Sequence, residues 1–249
     1  MNAPSKNAKS DSTGNPTLDE FRKVVRSRRS VRRFTDEPVP EQVLDDCLDL
    51  AMLAPNSSNL QPWEFFVVQT PDLKARLAEA CLGQNAAKTA PVLIAVVARP
   101  DTWRRHARMA LEQWPEEKLP PIVEKYYAKI APIHYNQGPF GLFGAAKKAA
   151  GLVIGLTRPV PRGPYSPNEM KIWATKSTAL AAENLMLALR AHGYDSCPME
   201  GFDECRVRRL LKLPKKGLVT MIVAAGKSSE KGVYNRQYRF NKTELVHYL

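Results

Sequence analysis

Apolar positions along the chain fall at two spacings, and their alternation predicts helices packed around a few strands. Phe21, Val24 and Val25 lie three to four residues apart, which predicts one inward helix face from Leu18 to about Ser27. Thr17 and Glu20 fit a capping box at its start. Val43, Leu44, Cys47, Leu48 and Ala51 repeat the helical spacing after Pro40, whose fixed φ suits a first turn. That helix must stop before Pro55. Glu64 to Gln69 reads as a strand, Thr70-Pro71 opens a third helix that Gly83 closes, and Gln84 to Lys88 is a short polar connection. Val92 to Ala98 and Leu218 to Ala225 are further strands, the second ending at Gly226. Ser166-Pro167-Asn168-Glu169 is a second capping box, and Gly193 suits the residue just past a helix end. The helix between them is the longest in the chain, and its stretch from Ala179 to Leu189 is apolar on nearly every side, which predicts burial all round. Asp203 caps a short helix to Leu211. Strands separated by helices predict an α+β fold.

Three stretches fit this pattern poorly. Residues 1–16 are polar and read as a disordered N-terminal tail, leaving 17–249 as one domain. The segment 103–166 is interrupted by Pro115, Pro120, Pro121 and Pro132, then runs small and apolar from Gly138 to Gly155. It reads as helices forming a variable lid. From Lys227 to Leu249 the aromatic and aliphatic positions (Tyr234, Tyr238, Phe240, Leu245, Tyr248) have no core of their own and need another surface.

Charge changes the picture more than composition does. With 37 Lys and Arg against 25 Asp and Glu, the formal charge is +12, which favours polyanions or phosphorylated small molecules and says nothing of fold. The four cysteines (Cys47, Cys81, Cys197, Cys205) form no CxxC pair, so no zinc knuckle or dithiol motif is present. With no recognisable signal peptide, they are expected to be reduced thiols in a cytoplasmic protein. No apolar run is long enough to span a bilayer, and no membrane partner is expected. GxGxxG after a strand, GxxxxGK[ST], HExxH and GxSxG are all missing, and His106, His134, His192 and His247 are scattered. No metal site and no nucleophile–base pair is expected, so a cofactor is expected to carry the difficult chemistry.

The densest candidate chemistry is Arg28-Arg29-Ser30-Val31-Arg32-Arg33-Phe34, with no acidic residue from Arg22 through Phe34. Guanidinium forks and a hydroxyl suit an oxyanion. Taken with Ala54-Pro55-Asn56-Ser57-Ser58-Asn59-Leu60-Gln61-Pro62-Trp63, Cys197-Pro198-Met199-Glu200-Gly201-Phe202-Asp203 and Tyr234-Asn235-Arg236-Gln237-Tyr238-Arg239-Phe240, this block resembles the FMN-dependent nitroreductase family, and its oxygen-insensitive bacterial NAD(P)H branch in particular.

The resemblance implies a mixed central sheet flanked by helices, in an intertwined homodimer whose centre is the long apolar helix and whose C-terminal tail wraps the partner. It implies FMN as cofactor, NADPH or NADH as reductant, and ping-pong reduction of nitroaromatics, quinones or related small electrophiles at flavin N5, with no catalytic side chain. The net positive charge leans toward NADPH. By resemblance, Arg28, Arg29, Ser30 and Arg32 hold the FMN phosphate, ribityl chain and pyrimidine edge, and Arg236 and Arg239 supply a second phosphate grip. Asn85 and Lys88 contact the isoalloxazine ring. Pro55, Asn56, Ser57 and Asn59 belong to the loop lent by the partner subunit, and Pro198, Glu200 and Gly201 to the loop at the flavin edge. Trp63, Phe65 and Trp173 read as packing residues, Lys176 as a solvent contact, and Arg22, Lys23, Arg26 and Arg33 as surplus charge. Two alternatives stand beside this: a specific flavin-dependent dehydrogenase or dehalogenase of the same family, and a nucleic-acid binder using the Arg22–Arg33 and Arg104–Arg108 clusters. The second is weakened because aromatic residues are not interleaved with those clusters, and no nucleic acid is expected.

Overall fold

In the computed structural model, which describes residues 14–249, the sheet is built on a strand whose sequence alternates only in volume. β2 (Val92–Ala98) is buried along its whole length. Val92, Ile94 and Val96 point to one face with Ala182, Leu185 and Leu189, whereas Leu93, Ala95 and Val97 point to the other with Leu77, Ala87 and Val207. A strand covered on both faces must be apolar at every position. β1 (Trp63–Val68), β3 (Asp195–Met199) and β4 (Leu218–Gly226) complete the sheet in the order β1-β2-β4-β3. Every ladder is antiparallel, and the one parallel pairing is the isolated bridge Ser30↔Ser196. The expected mixed sheet is therefore corrected to an antiparallel one among the described residues. β3 was not expected: its five residues include Pro198 and lack alternation, yet they pair with β4 from Asp195↔Gly226 to Met199↔Ile222.

Helices cover both faces. α1 spans Pro16–Ser27, α2 Glu41–Met52, α3 Pro71–Ala80, α4 Asn85–Thr89 and α5 Trp103–Glu112. α6 (Pro121–Lys125), a π-helical turn (Tyr126–Ile130) and α7 (Ala131–Tyr135) follow, then α8 (Leu142–Ile154), α9 (Pro167–Ala191) and α10 (Glu204–Leu210). α9 and α2 pack on one face of the sheet, and α3, α4 and α10 on the other. The segment 103–166 is helical, as expected, and buries Trp103, Tyr127 and Tyr135 with Trp173 in a satellite core. Trp63 is buried as well, Phe65 packs against the core, and Lys176 faces solvent.

Several local expectations are corrected. α1 starts two residues before the anticipated box: the Asn15 side chain accepts the Leu18 N–H at 3.2 Å and Pro16 takes the first turn, so Asn15 and Pro16 belong to the helix start rather than to a disordered tail. The rest of that tail, residues 1–13, lies outside the described residues. Pro40 is the N-cap of α2 rather than its first helical residue. Gln84 to Lys88 contains a helix, α4, instead of a connection. At α9, Ser166 Oγ accepts the Glu169 N–H at 3.3 Å, but the Glu169 carboxylate accepts from Tyr165, one residue before the cap. α9 is not buried all round: Ile172 and Leu180 are about half exposed, on the side where Lys176 and Glu183 also meet solvent. Phe21 and Val25 on α1 are likewise exposed, so within one chain only Val24 of the expected inward face is partly covered.

Leu185 lies fully buried between α9 and the sheet. Leu185→Ala should lower unfolding stability by about 2–5 kcal/mol, read as a lower denaturant midpoint with an unchanged slope.

Candidate functional site

The arginine block sits where α1 ends and the chain turns onto the open edge of β3. Val31 N–H donates to Ser196 O at 3.0 Å and Arg32 N–H to Gly232 O at 2.7 Å, so residues 30–32 run beside both β3 and the start of the C-terminal segment. A cavity of about 180 Å³ opens here, walled by Arg28, Arg29, Ser30 and Arg32 on one side and Tyr234 to Arg239 on the other. Arg29 Nη2 donates to Asn235 O at 2.5 Å, which fastens the second wall to the first. Among the described residues, no carboxylate pairs with Arg28, Arg29, Arg32, Arg236 or Arg239. Arg28 Nη1 is buried there with no hydrogen-bond partner. A buried, unpaired cationic donor is costly. Arg28 also lines the cavity, whose cationic walls suit an anion.

The site continues away from the arginines. Asn85 Nδ2 donates to the Tyr234 hydroxyl at 2.9 Å, and the Arg32 guanidinium lies 5.8 Å from the Tyr234 ring centre. The Asn85 hydrogen bond, and then Arg33 and Arg32, hold the Tyr234 phenol below its ordinary pKa. Gln84 Nε2 donates to Gly201 O at 2.7 Å and to Cys81 O at 3.1 Å, which straps the Glu200–Gly201 loop to the start of α4. Lys88 lies beside Gly83 on the same connection, where a Cβ on that glycine would come within 3.2 Å of the ammonium; Gly83 also has φ +66°, the left-handed region that favours glycine. Pro198 is in β3, in register with Val223. One chain thus gathers Arg28, Arg29, Ser30, Arg32, Arg236 and Arg239 at the cavity, with Asn85 joined to it through Tyr234, Lys88 following on α4 and Gly201 tied to Gln84; Pro198 lies in β3 and Glu200 just past its end. Tyr234 was grouped with residues needing another surface; it finds one in its own chain, against Asn85. Its place in the C-terminal block was the available signal.

The loop carrying Pro55, Asn56, Ser57 and Asn59 is held apart from this cavity. Ser58, Asn59 and Gln61 have φ of +64°, +46° and +43°, three left-handed residues without glycine, interrupted by Leu60 at φ −88°. Asn56 spans it, with Oδ1 accepting from Gln61 N–H at 2.8 Å and Nδ2 donating to Ala54 O at 3.2 Å. The hydroxyls of Tyr126 and Tyr135 lie 2.5 and 2.7 Å from Ser58 Oγ, Tyr135 also reaches Ser57 Oγ at 3.0 Å, and Tyr127 donates to Ser58 O at 3.0 Å. Burial pushes the Tyr127 and Tyr135 phenols up. Asn59 instead borders a cleft of about 1070 Å³ between α2, the edge strand β1 and α5, lined also by Trp63, Phe65, His106 and Trp114.

Other chemistry is limited. All four cysteines are free. Burial, reinforced by Asp46, pushes Cys47 up to about 12, and burial pushes Cys81 up to about 11. Burial raises Cys197 too, against the opposing charge of Arg32 and Arg28. Among the described residues there is no group of metal-ligating side chains. The surplus charge is partly accounted for: Asp19 lies 3.8 Å from Arg22 and Glu20 3.5 Å from Lys23, one helical turn back. In the second basic cluster, Arg104 donates to Asn136 at 2.7 Å and Arg105 approaches Glu64.

Residues 25–227 match the model of the nitroreductase family. A Thermus thermophilus protein named NADH dehydrogenase is 32% identical over 219 residues, covering 87% of this chain and 90% of its own length. A 4-nitrobenzoate reductase of Pseudomonas putida is 27% identical, over 78% and 77% of the two chains. A nitroreductase structure from Bacillus subtilis superposes with a TM-score of 0.73 at 24% identity, covering 93% of this chain and 100% of that one. The chain belongs to the nitroreductase family, and it is an oxidoreductase of that type.

Tyr135→Phe removes the hydroxyl that both loop serines share. It should lower thermal stability by about 1 kcal/mol and leave Ser58 held by Tyr126. A loss above about 3 kcal/mol would show that the loop depends on Tyr135 alone.

Proposed function

We propose that the chain is an FMN oxidoreductase, working as a cytoplasmic homodimer, that takes hydride from NADPH or NADH and reduces nitroaromatics, quinones or related small electrophiles. The observation that carries this is the buried Arg28 Nη1 without a partner, beside a cavity of arginines that no carboxylate neutralises among the described residues. A phosphate monoester brings close to two negative charges and three acceptor oxygens, which fits that vacancy in the hydrogen bonding. A nitroreductase from Exiguobacterium sibiricum, similar in fold at a TM-score of 0.67, was solved in complex with FMN.

Arg28, Arg29, Ser30 and Arg32 would hold the phosphate and ribityl end, with Arg236 and Arg239 closing from the C-terminal segment. Asn85 and Lys88, at the far end of the same surface, suit the polar edge of the ring, and the Glu200–Gly201 loop suits its redox-active edge. When bound, FMN supplies reversible hydride transfer, which no side chain of this protein can provide. Lys88 and Arg32 would place positive charge where electron density rises on reduction.

The dimer is supported by apolar surface that one chain leaves open: Phe21 and Val25 on α1, Ile172 and Leu180 on α9, and Phe240, Leu245 and Tyr248 in the tail. A second copy would bring its Pro55–Asn59 loop, displaced from the arginine cavity in its own chain, to the partner's site. Its tail would find the cleft beside the free edge of β1. These residues form one domain over 15–249 in this reading, with 103–166 as the lid over the pocket.

Arg28→Ala should weaken FMN binding about tenfold to a hundredfold, the loss of one charge-assisted hydrogen bond, while the dimer stays folded. Flavin absorbance of the dialysed protein and fluorescence titration check this. Unchanged occupancy would contradict the assignment of Arg28, and a wild-type protein that stays colourless after incubation with FMN would overturn the function.

A further inference from the structure

α8 is folded with its apolar stripe outward. Leu142, Ala145, Ala146, Ala149, Leu152 and Val153 recur at helical spacing, and all are exposed. Leu142 is 68%, Leu152 58% and Val153 68% exposed; Phe140 and Leu156, just beyond the two ends, are 102% and 85% exposed. The opposite face carries Gly144 and Gly151, both buried. A Cβ at Gly144 would overlap the Tyr165 carbonyl, and one at Gly151 would lie 2.8 Å from the Tyr165 hydroxyl. Lys147 donates to Ile133 O at 3.0 Å and His134 O at 2.7 Å, and Arg162 to Gly151 O at 3.1 Å. α8 therefore cannot roll its large residues inward, because only glycine fits the surface beneath it. The stripe is fixed facing out.

The charge around it is mostly basic: Glu169, whose carboxylate accepts the Tyr165 N–H, borders the same hollow as Lys148. Between Glu124 and Glu169 there is no Asp or Glu, while Lys125, Lys129, Lys147, Lys148, Arg158 and Arg162 are all basic. A locked apolar ridge with basic residues along the same segment suits contact with an anionic lipid surface. We propose that α8, with Phe140 and Leu156 at its ends, seats the protein on an anionic lipid surface. At 13 residues the helix is about 20 Å long, and among the described residues no helix is long and apolar enough to cross a membrane. Attachment is peripheral, with the apolar side chains entering the acyl boundary and Lys148 at the level of the headgroups. A second copy is a poorer occupant, since it carries the same net charge of +12 and the same basic segment. The proposal does not depend on the flavin site.

The test is co-sedimentation of the full-length protein with vesicles of phosphatidylcholine containing 30% phosphatidylserine, and with vesicles of phosphatidylcholine alone. The protein should pellet with the anionic vesicles, and Lys148→Gln should weaken this about fivefold. Leu152→Ser/Val153→Ser, which leaves the net charge unchanged, should weaken it at least tenfold while circular dichroism and oligomeric state stay as in the wild type. If the double variant pellets as well as the wild type, attraction of a basic protein to any anionic surface explains the binding and the proposal fails. It also fails if the wild type stays in the supernatant, or if the double variant dissociates the oligomer, which would mean that another copy covers α8.

Discussion

The arrangement of this site depends on uncompensated positive charge. Arg28 Nη1 is buried at the end of α1 without an acceptor, and Arg29, Arg32, Arg236 and Arg239 stand around the same small cavity with no carboxylate partner among the described residues. Like charges gathered this closely repel one another, and folding alone gives no reason to place them there. The antiparallel sheet makes the position possible: the Ser30↔Ser196 bridge lays the arginine block along β3, and the Arg29–Asn235 hydrogen bond draws the C-terminal segment across it. An anion with several acceptor oxygens relieves both the repulsion and the orphaned donor.

The remaining elements follow from the two ends of that surface. The Gln84–Gly201 and Asn85–Tyr234 hydrogen bonds connect α4, the loop after β3 and the C-terminal segment, so the polar groups expected to meet the ring are tied to the groups expected to meet the phosphate. The amide-rich loop is different. Its left-handed residues are braced by Tyr126, Tyr127 and Tyr135, from the least regular part of the chain, on a wall the arginine cavity does not share. A rigid loop that belongs to no site in its own chain suits one completed between two copies.

Much of this was legible in the residues, and where it was not the reasons are physical. β2 was visible because a strand covered on both faces must be apolar throughout, β4 because it is rich in β-branched residues, and α10 because Asp203 announces it. β3 was not: it is short, contains Pro198, and takes its regularity from pairing with β4. α4 was missed because its five residues hold too few apolar positions to show a period. Periodicity also cannot tell which neighbour covers an apolar face, so Phe21, Val25 and Leu180 were expected inside and stand exposed in one chain. The pairing of Arg22 with Asp19 and of Lys23 with Glu20 could have been read from their spacing of three.

The central claim, that the arginine cavity exists for a phosphate, is tested most directly by comparing FMN with riboflavin, which has the same ring and ribityl chain without the phosphate. Fluorescence titration of the protein freed of flavin should show FMN binding at least a hundredfold more tightly, because two or more charge-assisted hydrogen bonds of about 1.5–3 kcal/mol each go to the phosphate. Raising the salt concentration should narrow that gap. Equal affinity for the two flavins would contradict the account.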